Sequence, residues 1–402
     1  MGIINRPVNL SLEERIPLSR DIKLQNIFKV IEGSISGNVR FGIILEKMDM
    51  LAYKTARLFV DQFHPDARVV TAAIDTIIMR NVFDINKDIV LKSRINYVGK
   101  SSMEVGIKIE QLASNDGHIA TCYFTMVARL GNLENDMPAK LPPLDYIDDH
   151  EKERYYKALE RKEHYMQDKK KLVEPPGCDE FRHLFEIHRE SKSVNIQEYQ
   201  VSMTPPSMTS SIISQPPINE ISTNTISPIT YKTSKGFVNE FIMESWERTF
   251  PEHKNLNQTI FGGYLARRAY ELSSMCAELL AKWRGLIGAV NRINFYQPVN
   301  IGDKLHYASK IIYTNGPFIC IEANISRMGR GEKKISALTN SCLFTFIDVD
   351  ENLNPLIVDK IYPVTFEEYL KYLQAERSMK RLLQEPEDIY LNKVLQGNKL
   401  IF

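Results

Sequence analysis

A chain of 402 residues, 43% hydrophobic and 25% charged, carries enough apolar material for two or three packed domains, and no apolar run in it is long enough to span a bilayer. Its 51 Lys and Arg nearly balance its 50 Asp and Glu, which argues against a general nucleic-acid binder. The five cysteines (Cys122, Cys178, Cys276, Cys320 and Cys342) are odd in number with no C-x-x-C pair, and the eight histidines form no H-E-x-x-H. Neither a disulfide framework nor a zinc site is indicated, a reducing compartment is implied, and no cofactor is expected.

Taken in chain order, residues 1–20 read as an N-terminal lead. They lack the apolar core of a secretory signal, and Glu13 and Glu14 interrupt a transit-type pattern. Residues 21–135 and 233–350 then read as two related domains, because three features recur in the same order at offsets near 220. The first is a glycine-opened helix, beginning Phe41-Gly42-Ile43-Ile44-Leu45 in one half and Phe261-Gly262-Gly263-Tyr264-Leu265 in the other. The second is a strand, 73–77 matched by 289–293. The third is a strand in which Cys122, Phe124 and Met126 share a face, as Cys342, Phe344 and Phe346 do in the other half. Each half is therefore α+β, one long helix followed by antiparallel strands, and the helix must bury its stripe against the sheet. Two generic domains of unrelated topology are the bland alternative.

Between the halves, residues 136–232 do not repeat. Within them 149–171 is dense in Glu, Lys and Arg and reads as a solvated helix, and 204–231 is rich in Ser, Thr, Pro and Asn and reads as a flexible segment. Residues 351–402 form a helical tail, opened by a Thr365/Glu368 capping box.

Asp49 is the first candidate for chemistry. It shares a helix face with Leu45, Ala52 and Tyr53, whereas Glu46, Lys47, Met50 and Lys54 face outward. A carboxylate on an apolar face costs free energy unless it is paired or used, and burial moves its pKa toward that of a general base. Asp49 lies seven residues, about 10 Å or two turns, after Gly42. Backbone N–H groups at such a helix start can bind an oxyanion. The plain alternative is an interface Asp with structural hydrogen bonds, and for Phe-Gly a simple helix-entry turn. In the second half Tyr270 stands seven after Gly263, but the preceding loop offers Asn255 and Asn257 where the first half has Ser34. One half keeps a carboxylate and the other an amide.

These stretches resemble a known family. Phe41-Gly42-x-Ile44-Leu45-Glu46-x-x-Asp49, Val98-Gly99-Lys100-Ser101-Ser102-Met103-Glu104-Val105 and Ile260-Phe261-Gly262-Gly263-Tyr264-Leu265 are similar to the double-hotdog acyl-coenzyme A thioesterases, over residues 20–375 apart from the Ser/Thr-rich segment. The resemblance implies tandem hotdog domains, each an antiparallel sheet wrapped around a long central helix, associated back to back. It implies hydrolysis of a fatty acyl-coenzyme A to free acid and coenzyme A. The family's helix Asp falls on Asp49, and its loop Asn, eight residues before the glycine, falls on Asn255. The reverse pairing, Ser34 with Tyr270, lacks both groups and is expected to be inactive. Gly42, Gly262, Gly263 and Asn257 are the expected oxyanion and substrate-positioning residues, although Phe41 replaces the family's first glycine. Lys100, Arg327, Arg330 and Lys333 are candidates for the coenzyme A phosphates, against the plain reading of a solvated hairpin; no P-loop spacing is present. Further association, as a homo-oligomer built of three double hotdogs, and a mitochondrial location (cytoplasmic without a leader) follow on the same footing. Two rival readings remain: a non-catalytic acyl-coenzyme A-binding or assembly protein, and a hotdog dehydratase using His253.

Overall fold

The computed structural model describes residues 6, 9–33, 35–111, 117–131, 135–202, 236–255 and 259–384, with the backbone alone at 168–173 and 194–202. The first half holds β1 (Ser11–Ile16), α1 (Ile22–Phe28), α2 (Phe41–Val60), β2 (Arg68–Ile74), β3 (Ile77–Ile78), β4 (Ile89–Val98), β5 (Ser102–Gln111), β6 (His118–Leu130) and β7 (Met137–Pro138). Two helices follow, α3 (Asp149–Val173) and α4 (Cys178–Ser202). The second half holds β8 (Ile242–Arg248), α5 (Gly262–Glu278), β9 (Arg284–Val290), β10 (Ile293–Phe295), β11 (Lys304–Asn315), β12 (Phe318–Met328) and β13 (Ala337–Val349), and α6 (Phe366–Leu382) closes the described chain.

The strands form one antiparallel sheet in the order β1-β4-β5-β6-β2-β10-β13-β12-β11-β8. The second half repeats the first in mirror order outward from the β2–β10 seam. The seam is reciprocal. Ile74 pairs with Ile293 on one side of it, and Ile77 pairs with Val290 on the other. Each segment read as a single strand in the sequence is therefore split, at Asp75-Thr76 and at Asn291-Arg292. Beyond each split the chain pairs with the other half, while β10 also keeps its pairing with β13. Asp75 N–H still reaches the Tyr123 carbonyl at 2.8 Å, and Asn291 N–H reaches the Leu343 carbonyl at the same distance.

The core lies on one sheet face, where α2 and α5 pack. Cys122, Phe124, Met126, Cys342, Phe344 and Phe346 all point there and are buried. From α2, Leu45, Met48, Ala52, Ala56 and Phe59 meet them. Every fully buried large apolar side chain among these contributes about 1.5–3 kcal/mol relative to exposure. The opposite sheet face carries a second apolar cluster. Cys320 and Ile347 lie there beneath Tyr372, Leu373 and Met379 of α6, with Leu184 and Ile187 of α4.

Two parts of the chain differ from the sequence reading. Residues 11–16, assigned to a lead, form an edge strand in register with β4, and Arg15 there binds Asp88 at 2.7 Å. The strand was illegible because its alternation is mostly charged. Helix α3 was read as solvated, yet it seats Ala158 on the sheet, and Arg161 reaches Glu104 of β5 at 2.5 Å. At the tail, Thr365 accepts from Glu368 N–H while the Glu368 carboxylate accepts from Thr365 N–H, and α6 starts from that box. The segment 204–231 lies outside the described residues.

Candidate active site

Helices α2 and α5 touch along their N-terminal parts. Arg40 binds Glu271, Gly42 lies against Arg267 and Tyr270, Glu46 binds Arg267, Asp49 meets Gly263, and the Tyr53 ring meets Phe261. Numbers rise on one helix as they fall on the other, so the two run antiparallel. The glycines make this approach possible. A Cβ on Gly263 would stand 2.7 Å from Asp49 Cβ and 3.0 Å from Glu46 Cα, and one on Gly42 would stand 3.2 Å from Arg267 Cγ. The positions repeat: the fourth residue after each glycine is Glu46 in α2 and Arg267 in α5, and these two join at 2.8 Å. The seventh is Asp49 in α2 and Tyr270 in α5.

Helix α5 has no side-chain cap of its own, because its N-cap residue is Phe261. Its orphan donors need an acceptor from elsewhere. Asp49 supplies one: Oδ2 accepts from Gly263 N–H at 2.6 Å, and Oδ1 accepts from Thr71 Oγ1 at 2.7 Å. A carboxylate in this place is the usual capping arrangement, delivered here from the other half of the chain and favoured by the helix dipole. Asp49 has no exposed surface. Burial raises its carboxyl to about 6, against the lowering effect of the Thr71 and Gly263 hydrogen bonds; the Glu46 charge adds to the rise. A buried carboxyl that titrates near neutrality is suited to moving a proton.

Thr71 was missed by sequence reasoning. A threonine in a strand carries no signal until the register of β2 beneath α2 is known. Gly262 and Gly263 were expected to hold an oxyanion. The Gly263 N–H is instead committed to Asp49, the nearest buried acceptor at that helix start. Gly262 sits between the Phe295 ring and Asp49: its Cβ would lie 2.9 Å from the ring edge and 3.5 Å from Oδ2. Gly42 faces Arg267 and Tyr270, so its place here is one of interhelix contact.

Asn255 closes the loop that leads into α5. Its N–H donates to the Thr259 carbonyl at 2.7 Å, and its side-chain oxygen accepts from Thr259 N–H at 3.2 Å. The loop is tied to the helix start, since Phe261 N–H donates to the His253 carbonyl at 3.0 Å. Ser34 and Asn257 lie outside the described residues. The His253 ring stacks on Tyr264 at 3.9 Å, and Glu252 lies within ion-pair range of it at 3.6 Å.

The related position in the other half holds no carboxylate. Tyr270 is buried among Phe41, Phe344 and Phe346, and burial raises its hydroxyl pKa. That half-site is an aromatic plug.

Three of the four cationic candidates, Arg327, Arg330 and Lys333, share the β12–β13 hairpin, and Lys100 lies in the turn between β4 and β5. Lys100 is exposed in the β4–β5 turn, Arg330 and Lys333 are exposed in the β12–β13 hairpin, and Arg327 lies 3.6 Å from Asp303. Among the described residues no ion pair joins any of the four to Asp49. Among the described residues there is no group of three or more His, Cys, Asp or Glu placed to hold a metal.

The sequence matches no family profile. It is similar to acyl-coenzyme A thioesterase 9, mitochondrial, of Bos taurus, with 27% identity over 384 residues that cover 92% of this chain and 77% of that one. The Homo sapiens protein of the same name is 25% identical over 379 residues, covering 91% and 76%. Among solved structures, an acyl-ACP thioesterase from Bacteroides thetaiotaomicron aligns over 85% of this chain and 99% of that one, with a TM-score of 0.43 and 10% identity. A repeated helix-on-sheet unit, two such units sharing one sheet, and likeness to named relatives along nearly the whole chain place it: the chain belongs to the double-hotdog acyl-coenzyme A thioesterase family.

Proposed function

We propose that this chain hydrolyses acyl-coenzyme A at a single site where α2 of the first half meets the start of α5 of the second. The observation that carries the assignment of the site is the buried Asp49 carboxylate, held by Thr71 and by the Gly263 amide and titrating near 6. In the reaction, Asp49 takes a proton from water as the water oxygen attacks the thioester carbonyl. The C–S bond of the tetrahedral intermediate then breaks. The acid leaves with the water oxygen, and the proton held by Asp49 passes to the thiolate of coenzyme A, which regenerates the base. A thiolate is a good leaving group, so one base and a few amides suffice without a Ser-His-Asp triad. Asn255 orients the water or the carbonyl, and N–H groups at the start of α5 not bound to Asp49 hold the developing oxyanion.

Tyr270 leaves the second half-site without a base, so one site works per chain. Assembly into a homo-oligomer of double hotdogs and a mitochondrial setting belong to the same reading, the latter supported by the names of the relatives. A non-catalytic binding role is disfavoured by Asp49: a carboxylate kept fully buried at a raised pKa costs stability at neutral pH. Thiol release from acyl-coenzyme A esters of graded chain length tests the proposal. Turnover by the natural chain and its loss in Asp49→Asn are expected. Absence of turnover at every chain length would overturn it.

A further inference from the structure

Asn255 sits on the loop that enters α5, and its proposed task requires a fixed placement relative to Asp49. A reacting group carried on a loop needs support from rigid elements. Backbone bonds supply part of that support. Lys254 pairs with Ile260, Thr259 pairs with Asn300, and Ile260 N–H reaches the Val299 carbonyl at 2.9 Å.

A side-chain contact adds to them. The His253 ring, two residues before Asn255, lies over the ring of Tyr264, with 22° between their planes. Tyr264 is buried, and its hydroxyl donates to Glu247 of β8. Arg268 holds the same carboxylate at 3.0 Å. Tyr264 also directly follows Gly263, whose N–H binds Asp49. The stack therefore ties the loop that carries the amide to the turn of α5 that holds the carboxylate, and Glu247 ties that turn to the sheet.

The first half supplies a comparison within the molecule. Five residues after Gly42 is Lys47, and five after Gly263 is Arg268. Lys47 binds Glu14 of β1 at 2.8 Å, as Arg268 binds Glu247 of β8. This ion pair from helix to edge strand is present in both halves and belongs to the shared fold. The ring stack does not. Ten residues before Gly42 stands Glu32, and one after it stands Ile43, where the second half has His253 and Tyr264. Only the half whose loop carries Asn255, where the other has Ser34, has the two rings. The stack tracks the amide, and the ion pair tracks the fold.

We infer that His253 is a positioning residue for thioester hydrolysis, which holds Asn255 in place relative to Asp49 by stacking on Tyr264. The inference rests on the role proposed for Asn255. It gives His253 a task that needs a flat ring and no proton transfer, unlike the task of a dehydratase histidine.

Steady-state hydrolysis of an acyl-coenzyme A by the full chain tests it. His253→Ala is expected to lower kcat roughly tenfold with KM changed less than about threefold, because it displaces a group that acts in the transition state. His253→Phe restores a flat ring that cannot carry a proton, and kcat is expected to return to within about twofold of the natural chain. Tyr264→Leu removes the stack from the helix side and should repeat the His253→Ala loss, which keeps the test decisive if His253→Ala fails to fold. In an Asn255→Ala background, His253→Ala is expected to lower kcat by less than about twofold further, because the two residues act through one group. An unchanged kcat in His253→Ala, no recovery in His253→Phe, or an undiminished His253→Ala loss in the Asn255→Ala background would overturn the inference while leaving Asn255 its role. Full turnover by Asn255→Ala alone is the separate result that removes Asn255 from the mechanism, and this inference with it.

Discussion

Asp49 and Gly263 stand 214 residues apart in the chain and are joined by a 2.6 Å hydrogen bond. The bond caps α5 with a carboxylate from α2, so the proposed base and the helix start that positions it come from different halves.

Replacing the base separates chemistry from folding. In Asp49→Asn the amide oxygen can still accept from Gly263 N–H, and the Thr71 hydroxyl can turn to accept from the amide nitrogen. Turnover is expected to fall by ~10²–10⁴. Stability at pH 7 is expected to rise, by up to about 3 kcal/mol, because the folded state no longer holds a buried carboxylate with its pKa lifted from 3.8 to about 6. Urea unfolding and thiol release on the same sample check both. A variant that is inactive and also less stable would point to a structural Asp49.

The pH dependence has a definite direction. Only ionised Asp49 can accept a proton, so the rate should fall as pH drops through about 6. Its effect on stability runs the other way. The folded state holds this proton more tightly than the unfolded one, so the contribution is most favourable below the unfolded pKa near 4 and is lost as pH rises through about 6. A pH–rate profile with its acid limb near 4 would contradict the assignment.

Thr71 sets the position of that limb. Thr71→Val keeps the shape and removes the O–H donor that favours ionised Asp49. The acid limb should move to higher pH, with kcat reduced roughly tenfold, as expected when one hydrogen bond of about 1.4 kcal/mol to a charged group is lost. A merely structural threonine would leave the limb where it is.

Gly263 allows no side chain. Gly263→Ala places a methyl 2.7 Å from Asp49 Cβ, with backbone of α2 close behind it. The two helices must separate, which costs about 1–3 kcal/mol and breaks the cap. Activity should fall further than stability, as shown by comparing thiol release with thermal unfolding. Near-normal turnover would mean that the interhelix spacing is not what holds the base.

Both oxygens of Asp49 already accept a hydrogen bond, which favours proton transfer over direct attack on the thioester. A single turnover in ¹⁸O water should therefore label the acid and leave Asp49 unlabelled. Label in the peptide containing Asp49 would establish a mixed anhydride instead.

Much of this was legible in the sequence, and what was not has physical reasons. The two glycine-opened helices and the Cys122/Phe124 and Cys342/Phe344 strands announced a duplication, because their periodicities are local. The place of Asp49 on an apolar face was equally local. Thr71 was hidden because its importance depends on the register of a strand lying under a helix. The ion pair between Glu46 and Arg267 depends on the crossing of two helices 221 residues apart. The split at Asp75-Thr76 depends on pairing with the other half, which no window of sequence contains. The edge strand at 11–16 was hidden for another reason, since an edge needs few apolar residues.

The mirror order of the sheet suggests that two equivalent centres once stood on either side of the seam. With Tyr270 sealed among phenylalanines, that spare is gone. If Asp49 is the base, as proposed, the copies cannot insure each other: a lesion on α2 near Asp49 or at the first turn of α5 would remove the whole catalytic capacity of the chain. Doubling the fold has therefore brought specialisation without redundancy.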